Sequence, residues 1–322
     1  QNLEPIVWFA ILVAFGSATQ DIALDAFRIE SAKAQYQAAL AASYQTGYRL
    51  AMIWAGAGAL WLAARAETTT GVYLAEAWQF AYLCMALSIG VGVVTTLLSP
   101  EPQSVLLPKA RSAGQWLQQT LIQPFADFIG RYRWQAFLIL GLIAIYRISD
   151  VVMGIMANPF YVDMGYTKDE VAAITKVFGV IMTLLGAFLG GLLTMRFGVM
   201  RVLFLGGVLS AASNLLFAWL STRGHDLNGL VWVISADNLS SGIASAAFIA
   251  YLSSLTNVQY SATQYALFSS MMLLLPKWFA GFSGVYVDTF GYEHFFIATS
   301  LIGIPVLILI TLAIRIEKSS LP

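Results

Sequence analysis

Nine apolar runs of roughly 19–27 residues, separated by short polar stretches, constrain this chain more than any other feature of it. Each run is long enough to cross a hydrocarbon core of ~30 Å as a helix, and in lipid only a helix or a closed barrel satisfies its own backbone. The runs lie at 3–26, 40–64, 77–98, 134–160, 171–195, 202–220, 229–255, 265–287 and 295–314. Composition agrees: 59% of residues are hydrophobic and only 11% charged, against ~45–50% apolar in a soluble domain. The expected fold class is therefore an all-α polytopic membrane protein.

Charge and cysteine content exclude several functions. Lys plus Arg equals Asp plus Glu at 17 each, so no basic excess points to nucleic acid. The single cysteine, Cys84, sits in an apolar run without a partner, and His225 and His294 fall far apart at loop positions, so neither a disulfide nor a metal site is expected. The chain has no Gly-x-x-x-x-Gly-Lys-[Ser/Thr] loop for nucleotide, and neither HExxH nor GxSxG to start an enzyme active site. No cofactor is expected.

The basic residues give an orientation. With the first run directed inward, Arg28, Lys33, Lys109, Arg111, Arg131, Arg133, Arg196, Arg201, Arg315 and Lys318 are cytoplasmic, against Arg65, Lys168 and Arg223 outside. The longest connection, 99–133, contains four prolines and an amphipathic helical pattern of Trp116, Leu117, Leu121, Ile122, Phe125, Phe128 and Ile129, as expected of a helix lying on the membrane surface. It leaves three runs before it and six after. The chain opens on Gln1 without an initiator Met and is read as lacking an N-terminal part of a six-plus-six bundle. The expected division is 1–98 as the last three helices of the first bundle, 99–133 as the cytoplasmic linker and 134–322 as the second bundle.

Ionisable residues within the runs mark where function is expected. Ser17, Asp21, Asp25 and Arg28 share one helix face, with Asp21 ~10 Å inside the point where Arg28 is expected to reach water. Arg49 falls near the middle of its run beside Gln45 and Tyr48, and its planar fork suits a carboxylate. A structural ion pair with Asp21 or Asp25 is the competing role. Lys277 occupies a comparable depth, and each cation precedes a glycine, Gly56 or Gly284, by seven residues. Arg147 and Asp150, three apart, can pair on one face. Asp237 has no basic neighbour in its own run and needs a partner from another helix or a proton. Lys176 is expected to snorkel from a helix opened by a capping box at 167–170. Gly186, Gly190, Gly191 and Gly206-Gly207 are positions where helices can approach closely.

The run Ser17-Ala18-Thr19-Gln20-Asp21-Ile22-x-x-Asp25-Ala26, together with Gly47-Tyr48-Arg49-Leu50 and Ser261-Ala262-Thr263-Gln264-Tyr265-Ala266-Leu267, resembles the AmpG family of muropeptide permeases, within the major facilitator superfamily. The likeness extends from what corresponds to the family's fourth helix to its twelfth, nine of about twelve. A weaker signature, Gly191 to Arg201, resembles the superfamily's short cytoplasmic loop, with Met195 in place of its acid. The resemblance implies import of anhydromuropeptides, sugar-peptide fragments of peptidoglycan, across a bacterial inner membrane by alternating access. Acetyl-coenzyme A transporters of the same superfamily carry a related segment, so an acyl-coenzyme A or another organic anion is the alternative cargo, and a membrane-embedded enzyme or scaffold the competing class. On this reading Gln45, Tyr48, Arg49 and Lys277 contact substrate; Asp21, Asp25, Asp237, Arg147 and Asp150 couple protons or gate; and the expected partners are the bilayer, a sugar-peptide and protons, the protein being a monomer.

Overall fold

The structure is a computed structural model that describes residues 4–33, 36–67, 74–102 and 110–319. All regular structure among them is helical. An apolar run of this length leaves the backbone no partner but itself, and 27 residues at ~1.5 Å each carry α1 (Glu4–Glu30) across ~40 Å. There follow α2 (Gln37–Ile53), continued through a π-helical turn at Trp54–Gly58 into α3 (Ala59–Ala66), and α4 (Ala75–Leu98). The connection expected to be amphipathic is helical as α5 (Ala113–Leu117), a π turn and α6 (Gln123–Tyr132). Ser112 caps its start by accepting from Gln115 N–H. The remaining helices are α7 (Gln135–Ile145), α8 (Ile148–Asp163), the short α9 (Lys168–Val171), α10 (Gly179–Phe197), α11 (Val199–Ser221), α12 (Leu227–Leu255), α13 (Ser261–Ala280) and α14 (Ser283–Ser319).

Seven helical stretches among the described residues are long and apolar enough to cross a membrane: 4–30, 75–98, 135–163, 172–197, 199–221, 227–255 and 283–315. The expected run at 40–64 is helical too, with its π turn inside it. The run expected at 265–287 is corrected: α13 stops at Ala280, where Gly281 N–H bonds back to Lys277 O and Trp278 O, and residues from Ser283 belong to α14. The break expected before Phe295 is a kink at Gly291, whose φ of 79° an L side chain rarely adopts.

Two compact units divide the chain, the larger formed by 1–42 with 104–322 and the smaller by 43–103. In the smaller unit α3 packs on α4. In the larger, α12 is the centre, packed on α10 and α11, while α14 covers α11 and α8, and α13 covers α7 and α8. Glycine sets the closest crossing. A Cβ on Gly186 would lie 2.3 Å from Leu239 O, and one on Gly242 2.3 Å from Thr183 O, so α10 and α12 touch backbone to backbone. Gly206 meets Ala244 Cα in the same way, at 2.8 Å. Elsewhere in this unit aromatic rings fill the core: Phe160 stands edge-on to Phe296 at 5.1 Å, and Tyr146 stacks on Phe248 at 4.4 Å.

The ends of this unit are stitched differently. At one end the turns 164–170 and 222–226 meet: Tyr166 Oη donates to Gly224 O and Asp226 O, and His225 Nε2 lies 3.0 Å from Glu170 Oε2. The capping box is formed, Thr167 N–H donating to Glu170 Oε2 at 2.8 Å and Glu170 N–H to Thr167 Oγ1 at 3.3 Å. Burial pushes the Tyr166 phenol above its ordinary range. Glu170 is held below the usual carboxylate range, chiefly by His225 and then by Thr167 N–H. The side chain of Lys176, expected to snorkel, lies outside the described residues.

Candidate functional site

Two polar clusters occupy the larger unit, one inside the helix bundle and one at the end opposite Tyr166. The inner cluster begins where the helix breaks between α7 and α8, at Tyr146 and Arg147. Arg147 Nη2 lies 3.7 Å from Asp150 Oδ2, the i,i+3 pair legible in the sequence, and Arg147 Nη1 donates to Ser245 Oγ of α12 at 3.2 Å. Ser210 of α11 donates through its hydroxyl to Asp150 Oδ1. One turn on, Ser213 Oγ donates to Asp237 Oδ1 of α12 at 3.1 Å and lies 2.9 Å from Ser210 O.

The Arg147–Asp150 pair and Asp237 are thus each bonded to a serine of α11, Ser210 and Ser213, one turn apart and not marked by the sequence. A cavity of about 10 Å³ lies beside Asp150, bounded by Tyr146, Ser149, Gly206 and Ser210, at the lower limit of what one water occupies. Beside it the fully buried Asn214 donates to Ser149 Oγ at 2.9 Å and Thr299 Oγ1 at 3.1 Å, tying α8, α11 and α14. Each carboxylate, bonded to its own serine hydroxyl, can hold a proton, but the contact between the two serines runs through the Ser210 main-chain carbonyl, which cannot relay one. Nearby, Thr183 Oγ1 donates to Asn238 Oδ1 at 2.8 Å.

The second cluster corrects an expectation. Arg28 does not reach water but is 5% exposed, because α1 docks its last turn against α13 and the end of α12. Its Nη1 donates to Ser253 Oγ at 2.9 Å and Gln37 Oε1 at 3.3 Å, its Nη2 to Asp25 Oδ1 at 3.4 Å, and its guanidinium stacks 5.0 Å from the Tyr265 ring centroid. Asp25 is therefore held by Arg28. Glu30 accepts from the Ser261 hydroxyl. Asp21, one turn earlier, is exposed.

The connection between α12 and α13 is gripped from the other side by α6. Gln264, 1% exposed, is the hub: its Oε1 accepts from Arg131 Nη2 at 3.1 Å and Asn257 N–H at 2.8 Å, and its Nε2 donates to Pro124 O at 2.8 Å and Asp127 Oδ2 at 2.9 Å. Asp127 also pairs with Arg131 at 2.9 Å and accepts from Asn257 Nδ2 at 3.1 Å. Every polar atom of the buried amide is used, with both its acceptor lone pairs and both its donors engaged. The residues were visible in the sequence, but only Gln264 lay in a motif.

The residues read as substrate contacts are placed as follows. Gln45, Tyr48 and Arg49 lie in the smaller unit on α2, where Arg49 and Gln45 are half-buried and Tyr48 exposed. Lys277 is exposed on α13 of the larger unit, directly after the buried Pro276. Among the described residues no three His, Cys, Asp or Glu side chains are gathered as a metal site.

Helices of membrane-spanning length, small residues at their crossings and ionisable groups bonded to one another between them define a polytopic helical membrane protein with a polar interior. Comparison with known proteins makes the class specific. The chain is 33% identical to AmpG 4 of Rickettsia conorii over 310 residues, 96% of this chain and 72% of that protein. It is 33% identical to the anhydromuropeptide permease of Escherichia coli over 303 residues, 94% of this chain and 58% of that protein, and 28% identical to AmpG 1 of Rickettsia felis over 333 residues. No protein-family model matches the chain. The chain belongs to the AmpG family of transporters, whose members are permeases and not enzymes.

Proposed function

We propose that the chain forms nine helices of a twelve-helix major facilitator permease that imports anhydromuropeptides across the bacterial inner membrane, driven by protons. Two observations support this: the 33% identity to an anhydromuropeptide permease over nearly the whole chain, and the half-buried carboxylates Asp150 and Asp237, each bonded to a serine hydroxyl of α11. Residues 1–98 supply the end of the first bundle, 99–133 the cytoplasmic linker and 134–322 the second bundle. Gln45, Tyr48 and Arg49 act on the substrate through Arg49's fork, which binds a peptide carboxylate in two parallel bonds, and Lys277 supplies a second cation.

Proton coupling falls to Asp237 and Asp150. An aspartate whose hydrogen-bond partner is a serine hydroxyl stays bonded in either protonation state, because the hydroxyl can donate to the carboxylate or accept from the acid. Arg147 compensates Asp150 when that carboxyl is charged. Asp25, already tied to Arg28, gates the α1–α13 contact, and Asp21 faces the proton's route.

The test is uptake of radiolabelled anhydromuropeptide by membrane vesicles that contain the protein. In right-side-out vesicles, accumulation that needs an inwardly directed proton gradient, acid outside, and collapses when a protonophore is added, is expected. Equal accumulation with the gradient abolished overturns proton coupling, and gradient-driven uptake of acetyl-coenzyme A in place of the muropeptide overturns the cargo.

A further inference from the structure

A cavity of about 700 Å³ opens at the end of the larger unit that carries Arg133, Arg196, Arg201 and Arg315. Its walls come from the α6–α7 turn, the α10–α11 turn and the ends of α12 and α14. Leu138, Ile139, Met200, Leu255 and Ile314 give it apolar walls. Arg201 lines it directly. Arg133, Arg196 and Arg315 do not line it themselves but are the chain neighbours of lining residues, Tyr132, Phe197 and Ile314, within reach of its edge for a side chain as long as arginine's. The Arg196 guanidinium is further fixed by stacking 5.5 Å from the Phe197 ring centroid. All four are exposed, and among the described residues none is ion-paired with a carboxylate.

A cavity with apolar walls, one arginine in its lining and three more on neighbouring residues, none ion-paired among the described residues, fits a molecule with an anionic head and a hydrocarbon tail. The surroundings continue the match. Trp134 and Phe137, 64% and 81% exposed, carry the apolar surface from the mouth along α7, so an acyl chain leaving the cavity stays on a lipid-facing wall. The start of α11 opens into the same mouth, and its Gly198 cap offers no side chain to its first N–H groups, which adds partial positive charge where a phosphate would sit. A soluble anion gains nothing from the apolar walls, and an uncharged lipid gains nothing from the arginines.

We propose that this cavity is a binding site for an anionic phospholipid of the cytoplasmic leaflet, with the phosphate held by Arg133, Arg196 and Arg201 and the acyl chains lying over Leu138 and along α7. The site joins α6–α7, α10–α11, α12 and α14, so an occupant braces these four ends against one another. The inference rests on the cytoplasmic orientation of the arginine-bearing loops and not on the cargo, so muropeptide transport can fail its own test without touching it.

The whole chain, purified in detergent and stripped of lipid, is titrated with phosphatidylglycerol, phosphatidylcholine or inorganic phosphate. Lipid retained per chain is read by native mass spectrometry. Phosphatidylglycerol is expected to be retained in preference to phosphatidylcholine, with phosphate a poor competitor. Neutralising Arg196 and Arg201 together (Arg196→Gln, Arg201→Gln) is expected to weaken retention by about fivefold per arginine. Ala313→Trp, which fills the cavity without altering charge, is expected to abolish it, whereas Arg223→Gln, beyond the far end of α11, leaves it unchanged. Retention by the unaltered chain is also expected to fall as salt rises, a readout that needs no variant to fold. Equal retention of the two lipids, or retention indifferent to salt, to both arginines and to Ala313→Trp, overturns the site in favour of annular lipid. Full competition by inorganic phosphate overturns the lipid and leaves a soluble anion.

Discussion

At the residue scale, the half-buried Asp237 and the buried Gln264 show how differently two polar groups of the bundle respond to change. Asp237→Asn keeps an oxygen in reach of the Ser213 hydroxyl, so the bundle is expected to hold its melting temperature while accumulation driven by a pH gradient is lost and counterflow of substrate continues. Normal gradient-driven accumulation by Asp237→Asn removes this residue from the proton path. Arg147→Ala is expected to destabilise the protein by about 2 kcal/mol, less than the ~3–5 of a fully buried pair, because both partners are partly exposed. Gln264 has no conservative replacement. Gln264→Ala leaves Asn257 N–H without its acceptor, at ~1–3 kcal/mol, and takes a donor from Asp127 and from Pro124 O. Gln264→Glu places a second carboxylate oxygen against Asp127 and Pro124 O, and is expected to melt lower still above the carboxyl's titration range. A Glu variant that melts at the wild-type temperature at neutral pH contradicts the donor assignment of the amide.

At the scale of elements, the α10–α12 crossing is the tightest joint in the larger unit. Gly186→Ala and Gly242→Ala each drive a methyl to 2.3 Å from a carbonyl oxygen of the facing helix, and a backbone cannot yield as a side chain can. Each is expected to cost about 3 kcal/mol, the upper part of the range for overpacked sites, measured as a fall in melting temperature in detergent. An unchanged melting temperature for Gly186→Ala shows that these helices stand further apart. The turn joining 164–170 to 222–226 responds to acidity instead. Glu170's folded pKa is depressed, so its contribution is present above the carboxyl's unfolded pKa and disappears as pH falls through the folded value. The melting curves of wild type and Glu170→Gln are therefore expected to differ at neutral pH and converge in acid. Curves that stay parallel from pH 7 to pH 3 assign the difference to something other than the Glu170–His225 bond.

At the scale of the whole molecule, the basic loops predict which ends face the cytoplasm. In a background lacking Cys84, a cysteine at Thr222 is expected to react with an impermeant thiol reagent applied from outside, and one at Gln115 only after permeabilisation. The reverse pattern inverts the orientation and removes the cytoplasmic lipid site with it. What the sequence determined by itself was whatever depends on helical geometry alone: runs that must be helices because lipid offers the backbone no partner, the Arg147–Asp150 pair three residues apart, and the capping box at Thr167. The tertiary structure decided everything that depends on which helix faces which. Ser210 and Ser213 look like ordinary membrane-helix serines until α11 sets them between Asp150 and Asp237. Arg28 sits at the end of an apolar run, where water is its expected neighbour, yet it is buried against Ser253, 225 residues away. The Gln264 hub likewise joins α6 to α13 across 137 residues. Spacing along one helix is fixed by a rise of ~1.5 Å per residue, whereas contact between helices is settled by packing at crossings such as Gly186 on Leu239, which no local pattern encodes.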